Sequence, residues 1–164
     1  DLISLQEFAD APDSILDDVD NSQTTGKKYI VFMLDETLFA IASHKVSEVV
    51  RTMPYTTLPN VPEWLLGIAN LRGDIITIID LHTFWKLKPN DSPKSKLIIL
   101  RSETSNSQIA FKVDKLREIA TLPDNEIQII GKNDLPYLCG KINLKSNNVN
   151  LIDVEDVVAS LKLN

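Results

Sequence analysis

The chain has 164 residues, of which 43% are hydrophobic and 24% charged, and its formal net charge is −6. This length suffices for one globular unit with a hydrophobic core of its own. The sequence has no clustered basic face, no apolar run approaching about 18 residues and no basic segment followed by an apolar stretch. We therefore expect neither nucleic-acid binding nor membrane insertion nor secretion.

The charge is unevenly distributed along the chain. Residues 1–26 contain seven acids and no Lys or Arg. Residues 27–164 therefore contain the other 16 of the 23 acids and all 17 bases, which gives this part a net charge of +1. We expect an acidic, flexible N-terminal arm over residues 1–26 and one domain over residues 27–164. The alternative is an arm of short amphipathic helices that dock on the domain, because Leu5 and Phe8 lie at helical spacing. The single cysteine, Cys139, suits a reducing cytoplasm.

Short β-strands separated by turn residues dominate the first part of the domain. Three strands are predicted, at residues 29–34, 38–42 and 46–51. Ser43 can cap one helical turn before the third strand. Three prolines then break residues 53–62 into a loop, and Pro62 is predicted to start a short helix over residues 63–65.

The centre of the chain is a predicted antiparallel hairpin, with strands at residues 67–71 and 75–81. Gly73 can take the positive φ of a tight turn, which places Arg72 near the tip of the hairpin. The second strand is apolar on both faces, which is typical of the centre of a barrel or sandwich. Arg72 is either a partner contact held on a rigid hairpin or simply a solvated turn residue.

The remaining elements are again short. A helical turn is predicted over residues 81–86, and the polar residues 88–96 are predicted to connect two halves of the domain. Further strands are predicted at residues 97–100, 109–113, 117–122, 138–144 and 149–152, with a loop over residues 123–137. The last two strands flank a turn at residues 146–148, and the chain closes with an amphipathic helix over residues 153–163. Nine or ten short strands favour closed or nearly closed β-barrels.

The sequence offers little catalytic chemistry. His44 and His82 have no Cys or carboxylate at metal-ligand spacing, and no glycine-rich phosphate loop or nucleophile elbow is present. Asp80 is predicted to cap the helical turn that follows it, although a catalytic pair with Asp74 is an alternative. Cys139 is predicted to be a small buried apolar residue. We therefore expect no enzymatic activity, no metal and no cofactor.

Residues 67–81 (GIANLRGDIITIIDL) resemble the signature hairpin of the CheW-like chemotaxis coupling domain. The resemblance continues through several ordered motifs and covers about residues 28–162. The other matching segments are residues 38–41 (LFAI), 46–50 (VSEVV), 59–67 (PNVPEWLLG), 109–116 (IAFKVDKL), 138–140 (LCG) and 151–155 (LIDVE).

This resemblance implies a mainly β fold of two SH3-like five-stranded β-barrel subdomains that share a hydrophobic core, with short helices and a C-terminal helix. It also implies a non-catalytic, cytoplasmic adaptor that couples the cytoplasmic tips of chemoreceptors to the regulatory domain of a CheA-type histidine kinase. By position, Glu48 and Arg72 match residues tied to receptor coupling, with Glu48 near enough to orient the Arg72 guanidinium. Val46 and Gly67 fall on the first barrel, whose surface the family uses for partners.

Several positions depart from the family pattern. The first hairpin lacks its usual glycine, Ala40 and Ala110 replace glycine, and Thr77 replaces a common proline. These changes affect turns and packing, and they leave open whether the array serves chemotaxis, phototaxis or pilus motility. Two alternative functions are a detached CheW-like regulatory domain of a larger histidine kinase and a small hydrolase, which would need a pocket with convergent titratable groups.

Overall fold

The computed structural model describes residues 26–90, 92–101, 108–131 and 135–161. The expected arm over residues 1–26 lies outside them except for Gly26. The described strands and the helix are β1 (Lys27–Leu34), β2 (Thr37–Ala42), β3 (Val46–Arg51), β4 (Leu65–Leu71), β5 (Asp74–Asp80), β6 (Lys96–Leu100), β7 (Gln108–Val113), β8 (Lys115–Leu122), β9 (Gln128–Ile129), β10 (Leu138–Leu144), β11 (Asn147–Ile152) and α1 (Val154–Leu161).

The strands form two sheets that divide the chain unequally. The central sheet has the order β3-β6-β7-β5-β4 and uses only the middle of the chain. The terminal sheet has the order β8-β1-β2-β11-β10-β9 and therefore pairs the first strands with the last. Most neighbours are antiparallel, but β2 pairs with β11 and β5 with β7 in parallel. The two subdomains are consequently intertwined rather than consecutive.

The most apolar strands lie inside, as their composition predicts. All five residues of β6 are buried, and β5 buries Ile76, Ile78 and Ile79 completely. The largest apolar cluster combines both sheets with the helix, because it contains Phe32 of β1, Phe111 of β7 and buried residues of α1. The predicted shared core is thus present, and its side chains stabilise both subdomains together.

A short 3-10 helix, Leu81–Trp85, follows β5 and contacts the terminal sheet. The Asp80 side chain accepts a hydrogen bond from the His82 backbone N–H at 3.0 Å, which confirms the predicted cap. The Trp85 ring lies 4.7 Å from that of Phe39 in β2, so aromatic packing links the end of the central sheet to the terminal sheet.

Two predictions for the middle of the chain are wrong. The helix expected over residues 63–65 is a single turn, in which the N–H of Leu65, the first residue of β4, donates to the Pro62 carbonyl at 3.0 Å. One turn at the start of a strand is too short to propagate a helix. Residues 88–96 do not connect two halves, because β5 and β6 belong to the same sheet and Lys96 already starts β6.

The later elements are shifted by a few residues. β8 begins at Lys115, and the expected loop over residues 123–137 contains a 3-10 turn, Asp124–Glu126, and the two-residue strand β9. The last hairpin turns at Lys145 and Ser146, both at positive φ, so β11 starts at Asn147. Helix α1 starts at Val154 and is described to Leu161, and residues 162–164 lie outside the described part.

Candidate partner-binding site

The tip of the central hairpin is a two-residue turn between Leu71 and Asp74, which pair with each other. Arg72 has a φ of 52° and Gly73 a φ of 92°, the signs required for a type I′ turn. The positive φ predicted for Gly73 is confirmed. The Asn70 side chain also accepts a hydrogen bond from the Gly73 N–H at 2.9 Å, which fixes the turn further. The Arg72 side chain therefore starts from a rigid base.

Glu48 owes its position to an irregularity in β3. Val46 pairs with Leu100 and Glu48 with Ile99. These two partners are consecutive in β6, so Ser47 is an extra residue in β3 without a partner of its own in that strand. Such a bulge bends its strand and changes the direction of the side chains next to it. Val46 on one side of the bulge is completely buried, whereas Glu48 on the other side reaches the surface.

Arg72 and Glu48 form an ion pair between opposite edges of the central sheet. The Arg72 Nη2 atom lies 2.5 Å from Oε1 and 2.6 Å from Oε2 of Glu48. The hydrogen bond to this carboxylate raises the pKa of Arg72 above its already high value, so the guanidinium stays charged. Within the described chain the Nη1 and Nε atoms of Arg72 have no hydrogen-bond partner. The pair therefore orients the guanidinium through Nη2, and none of the described residues uses its other donors.

An exposed apolar side chain accompanies this cation. Ile75, near the start of β5, is 54% exposed, and the Arg72 side chain is 60% exposed. A large apolar residue beside an oriented arginine is the combination that dominates many protein interfaces. The hairpin tip together with Glu48 is therefore a candidate contact surface.

The other two predicted site residues lie beneath the surface. Val46 is fully buried, and its carbonyl accepts a hydrogen bond from Arg101 at 3.3 Å. Gly67 is buried too, and its backbone is so close to the Thr56 carbonyl oxygen that a Cβ there would lie only 2.4 Å from it. Both residues belong to the central sheet, not to the sheet that contains the first strands. They lie beneath the candidate contact surface and do not line it.

The catalytic alternatives find no geometric support. Asp74 and Asp80 lie at opposite ends of β5, about 20 Å apart at the usual rise per residue, and cannot act as a pair. Cys139 is exposed, which corrects the prediction of a buried residue, because side chains alternate between the faces of β10 and Cys139 points outward. Partial burial of the thiol and the nearby Asp153 carboxylate raise the pKa of Cys139, which makes the thiolate scarce.

A groove of about 420 Å³ lies on the terminal sheet, away from the hairpin. Glu126 and Lys141 line it together with four side-chain amides, and none of the candidate site residues belongs to it. The described residues contain no group of three or more His, Cys, Asp and Glu side chains placed to hold a metal ion. None of the described helices is long and apolar enough to cross a membrane.

A buried polar cluster, which the sequence does not predict, lies at the end of β5. His82 lies between the carboxylates of Asp80 and Asp114. The spacing of Asp80 and His82 hints at the first contact. Asp114, however, is 32 residues further along the chain, and no local pattern connects it to His82.

Comparisons with known proteins agree on one family. The family model described as CheW-like domain matches residues 28–162. The chemotaxis protein CheW of Helicobacter pylori is 29% identical over 138 residues, which cover 80% of this chain and 81% of that protein. The CheW of Rhizobium meliloti is 24% identical, over 82% of this chain and 89% of its own length. The crystal structure of the scaffolding protein TtCheW from Thermoanaerobacter tengcongensis superimposes with a TM-score of 0.72 and 28% identity, and covers 81% of this chain and 88% of that one.

Proposed function

The chain belongs to the CheW-like domain family, and from this premise we propose that it couples chemoreceptor cytoplasmic tips to a CheA-type histidine kinase. Its fold of two SH3-like barrels and its role as a chemotaxis adaptor follow from the family. The identity of the partners and the surface that meets each of them are the parts that we propose.

The Arg72–Glu48 pair is the observation that carries this proposal. An exposed ion pair contributes little to folding, typically less than about 1 kcal/mol. Here, however, the arginine occupies a turn position that favours Gly, Asn or Asp, and a bulge in β3 directs Glu48 towards it. Both the positive φ of Arg72 and the bulge before Glu48 are unfavourable local features. A role in binding explains them better than the small contribution of an exposed ion pair to stability.

We assign the receptor tip to this surface. The receptor should offer an apolar side chain to cover Ile75 and oxygen acceptors for the free donors of Arg72. Val46 and Gly67 contribute indirectly, since they hold β3 and β4 in place. The kinase regulatory domain then binds the adaptor elsewhere, which lets one molecule bridge both partners.

The same proposal includes a cytoplasmic location and the absence of catalysis. The family is one of non-catalytic scaffolds, which supports a non-enzyme. The alternative of a detached regulatory domain of a larger kinase is not favoured, because the relatives named above are called chemotaxis protein CheW or, for the solved structure, scaffolding protein. The hydrolase alternative has no supporting observation.

The test measures assembly of the full chain with a chemoreceptor cytoplasmic fragment and a kinase regulatory domain. We expect Arg72→Ala to fold normally and to weaken receptor binding by about 30-fold, which corresponds to an interface contact of about 2 kcal/mol. Glu48→Ala should weaken binding as well. The double variant should lose less than the sum, because both changes remove one oriented guanidinium.

A matched control comes from the terminal sheet. Lys145 forms an exposed ion pair with Glu118 at 3.4 Å, so Lys145→Ala removes a comparable surface charge at a distant site. It should leave binding unchanged. Parent-like binding by Arg72→Ala would place the receptor surface elsewhere, and unfolding of that variant in denaturant melts would make Arg72 a structural residue.

A further inference from the structure

A histidine is enclosed by two carboxylates inside the molecule. The His82 Nδ1 atom lies 2.5 Å from Asp80 Oδ1, and its Nε2 atom lies 2.9 Å from Asp114 Oδ2. The residue is only 3% exposed, and both acids are buried as well. The second oxygen of Asp114 has no donor within the described chain, so only Oδ2 of this carboxylate is hydrogen-bonded there, to the His82 ring and to the Asp35 N–H.

The cluster joins the two sheets. Asp80 ends β5 of the central sheet, and Asp114 lies where the chain passes from β7 in the central sheet to β8 in the terminal sheet. The Asp114 N–H donates to the Met33 carbonyl at 3.1 Å, and the Asp35 N–H donates to Asp114 Oδ2 at 2.6 Å. The imidazole ring therefore connects the end of β5 to the β1–β2 turn through a single carboxylate.

The number of protons in the cluster follows from the geometry. A ring nitrogen and a carboxylate oxygen attract each other only when one of them carries a proton, so the two contacts need two protons. An imidazolium between two carboxylates satisfies this requirement, and so does a neutral imidazole beside one carboxylic acid. Loss of one proton leaves a nitrogen lone pair facing a carboxylate in a buried site, and that contact must open.

We propose that Asp80, His82 and Asp114 form a proton-binding site that clamps the end of β5 to the β1–β2 turn. Its proton occupancy sets how firmly the two subdomains are joined. The clamp is closed while both nitrogen–oxygen contacts hold a proton and loosens when the surroundings become alkaline. This inference does not depend on the partners of the adaptor, because all three residues belong to this chain and are buried within it.

The charged groups around the His82 ring favour its protonated form, which is consistent with a clamp that loosens at alkaline pH. Burial lowers the pKa of His82, but the hydrogen bonds and charges of Asp80 and Asp114 raise it more, so the pKa lies above the value of about 6.5 for an unfolded histidine. The β1–β2 turn contributes the Asp35 amide, which contacts the Asp114 carboxylate. Stability from the clamp is complete below the unfolded pKa and declines as the pH rises through the folded pKa.

NMR of the full chain tests the proposal without altering the cluster. In the His44→Gln variant His82 is the only histidine, so its ring nitrogens can be followed during a pH titration of the folded and the urea-unfolded protein. We expect a higher midpoint in the folded protein. The Asp35 amide proton should shift with the same midpoint, because it shares Asp114 with the ring. Equal midpoints in the folded and unfolded states would overturn the proposal. So would an Asp35 amide whose chemical shift does not change during the titration.

Stability measurements separate a titrating clamp from mere packing. The unfolding free energy of the parent should decline as the pH rises above about 6.5. His82→Gln should lose this decline, whereas His44→Gln, which removes the exposed histidine, should keep it. If His82→Gln lowers stability by the same amount at every pH, the residue is a packing element and the proposal is wrong. If His82→Gln does not fold, the titration of the His44→Gln variant decides alone.

Discussion

Gly67 and Gly73 belong to the same hairpin, but different constraints keep a side chain out of each position. A Cβ on Gly67 would lie 2.4 Å from the Thr56 carbonyl oxygen and 2.7 Å from the Tyr55 ring, in the loop that covers the edge of β4. A Cβ on Gly73 would meet nothing within 4 Å, and only the φ of 92° opposes it. The first constraint is a close approach of two backbones, and the second is local conformation.

We therefore predict that Gly67→Ala is the more damaging substitution. It must push away Thr56, whose backbone exchanges hydrogen bonds of 2.8 and 2.9 Å with Ile68, and should cost more than about 2 kcal/mol of unfolding free energy. Gly73→Ala should cost about 1 kcal/mol, the usual penalty of the left-handed region. Denaturant melts of both variants check the order. A larger loss for Gly73→Ala would contradict the crowding at Gly67.

The sequence predicts single residues of the site better than their contacts. The Gly73 turn follows from residue type alone, and so does the position of Arg72 near its tip. The contact with Glu48, 24 residues earlier, was expected only from the family resemblance, since no periodicity connects β3 to the hairpin. The burial of Val46 does not follow from the sequence pattern either, because the bulge at Ser47 breaks the alternation of buried and exposed side chains along β3.

Among the elements, hairpins were easier to predict than their surroundings. The predicted pairs β1–β2, β4–β5 and β10–β11 are all present, because both strands and the turn between them lie in one short segment. The short helix expected after Pro62 is reduced to a single turn, since the first residues of β4 pair with β5 instead. Tertiary pairing outweighs a weak local preference over three residues.

Helix α1 gives a prediction at this scale. Its first turn is capped by Asp153, whose carboxylate accepts a hydrogen bond from the Asp156 N–H at 3.0 Å. Because the described part of α1 contributes Val154, Val157 and Leu161 to the core, loss of the cap should weaken its packing. We expect Asp153→Ala to lower the unfolding free energy by about 1 kcal/mol.

Asp153→Asn serves as the control, because asparagine caps a helix about as well as aspartate. Thermal melts of both variants should therefore differ clearly from each other. Equal losses would show that the charge of Asp153, and not its hydrogen bond, stabilises this end of the molecule. Equal stability of Asp153→Ala and the parent would show that packing alone holds α1.

At the scale of the molecule, topology is the part that the sequence does not reveal. β1 pairs with β8 and β2 with β11, and each pairing joins an early strand to one that lies far along the chain. Local patterns carry no information about such distant partners. The shared core and the two barrels were expected from the family resemblance, whereas the His82 clamp between them appears only once β5, β7 and β1 have been brought together.

The acidic arm provides the last prediction. Deletion of residues 1–24 removes seven acids and no base, which changes the formal net charge from −6 to +1. The folding core is built from residues of the domain, as the packing of β1 between β2 and β8 illustrates. We therefore expect an unchanged unfolding free energy, measured by denaturant melts of the truncated and the full chain.

Solubility should respond differently, because a protein with almost no net charge lacks the repulsion that keeps molecules apart. The truncated chain should precipitate at lower concentration near neutral pH, and it should regain solubility when the pH is lowered and its net charge rises. A loss of more than about 2 kcal/mol of stability would exceed a typical single-site effect and would mean that apolar residues such as Phe8 pack against the domain. Equal solubility of both chains would show that the arm does not act through its charge.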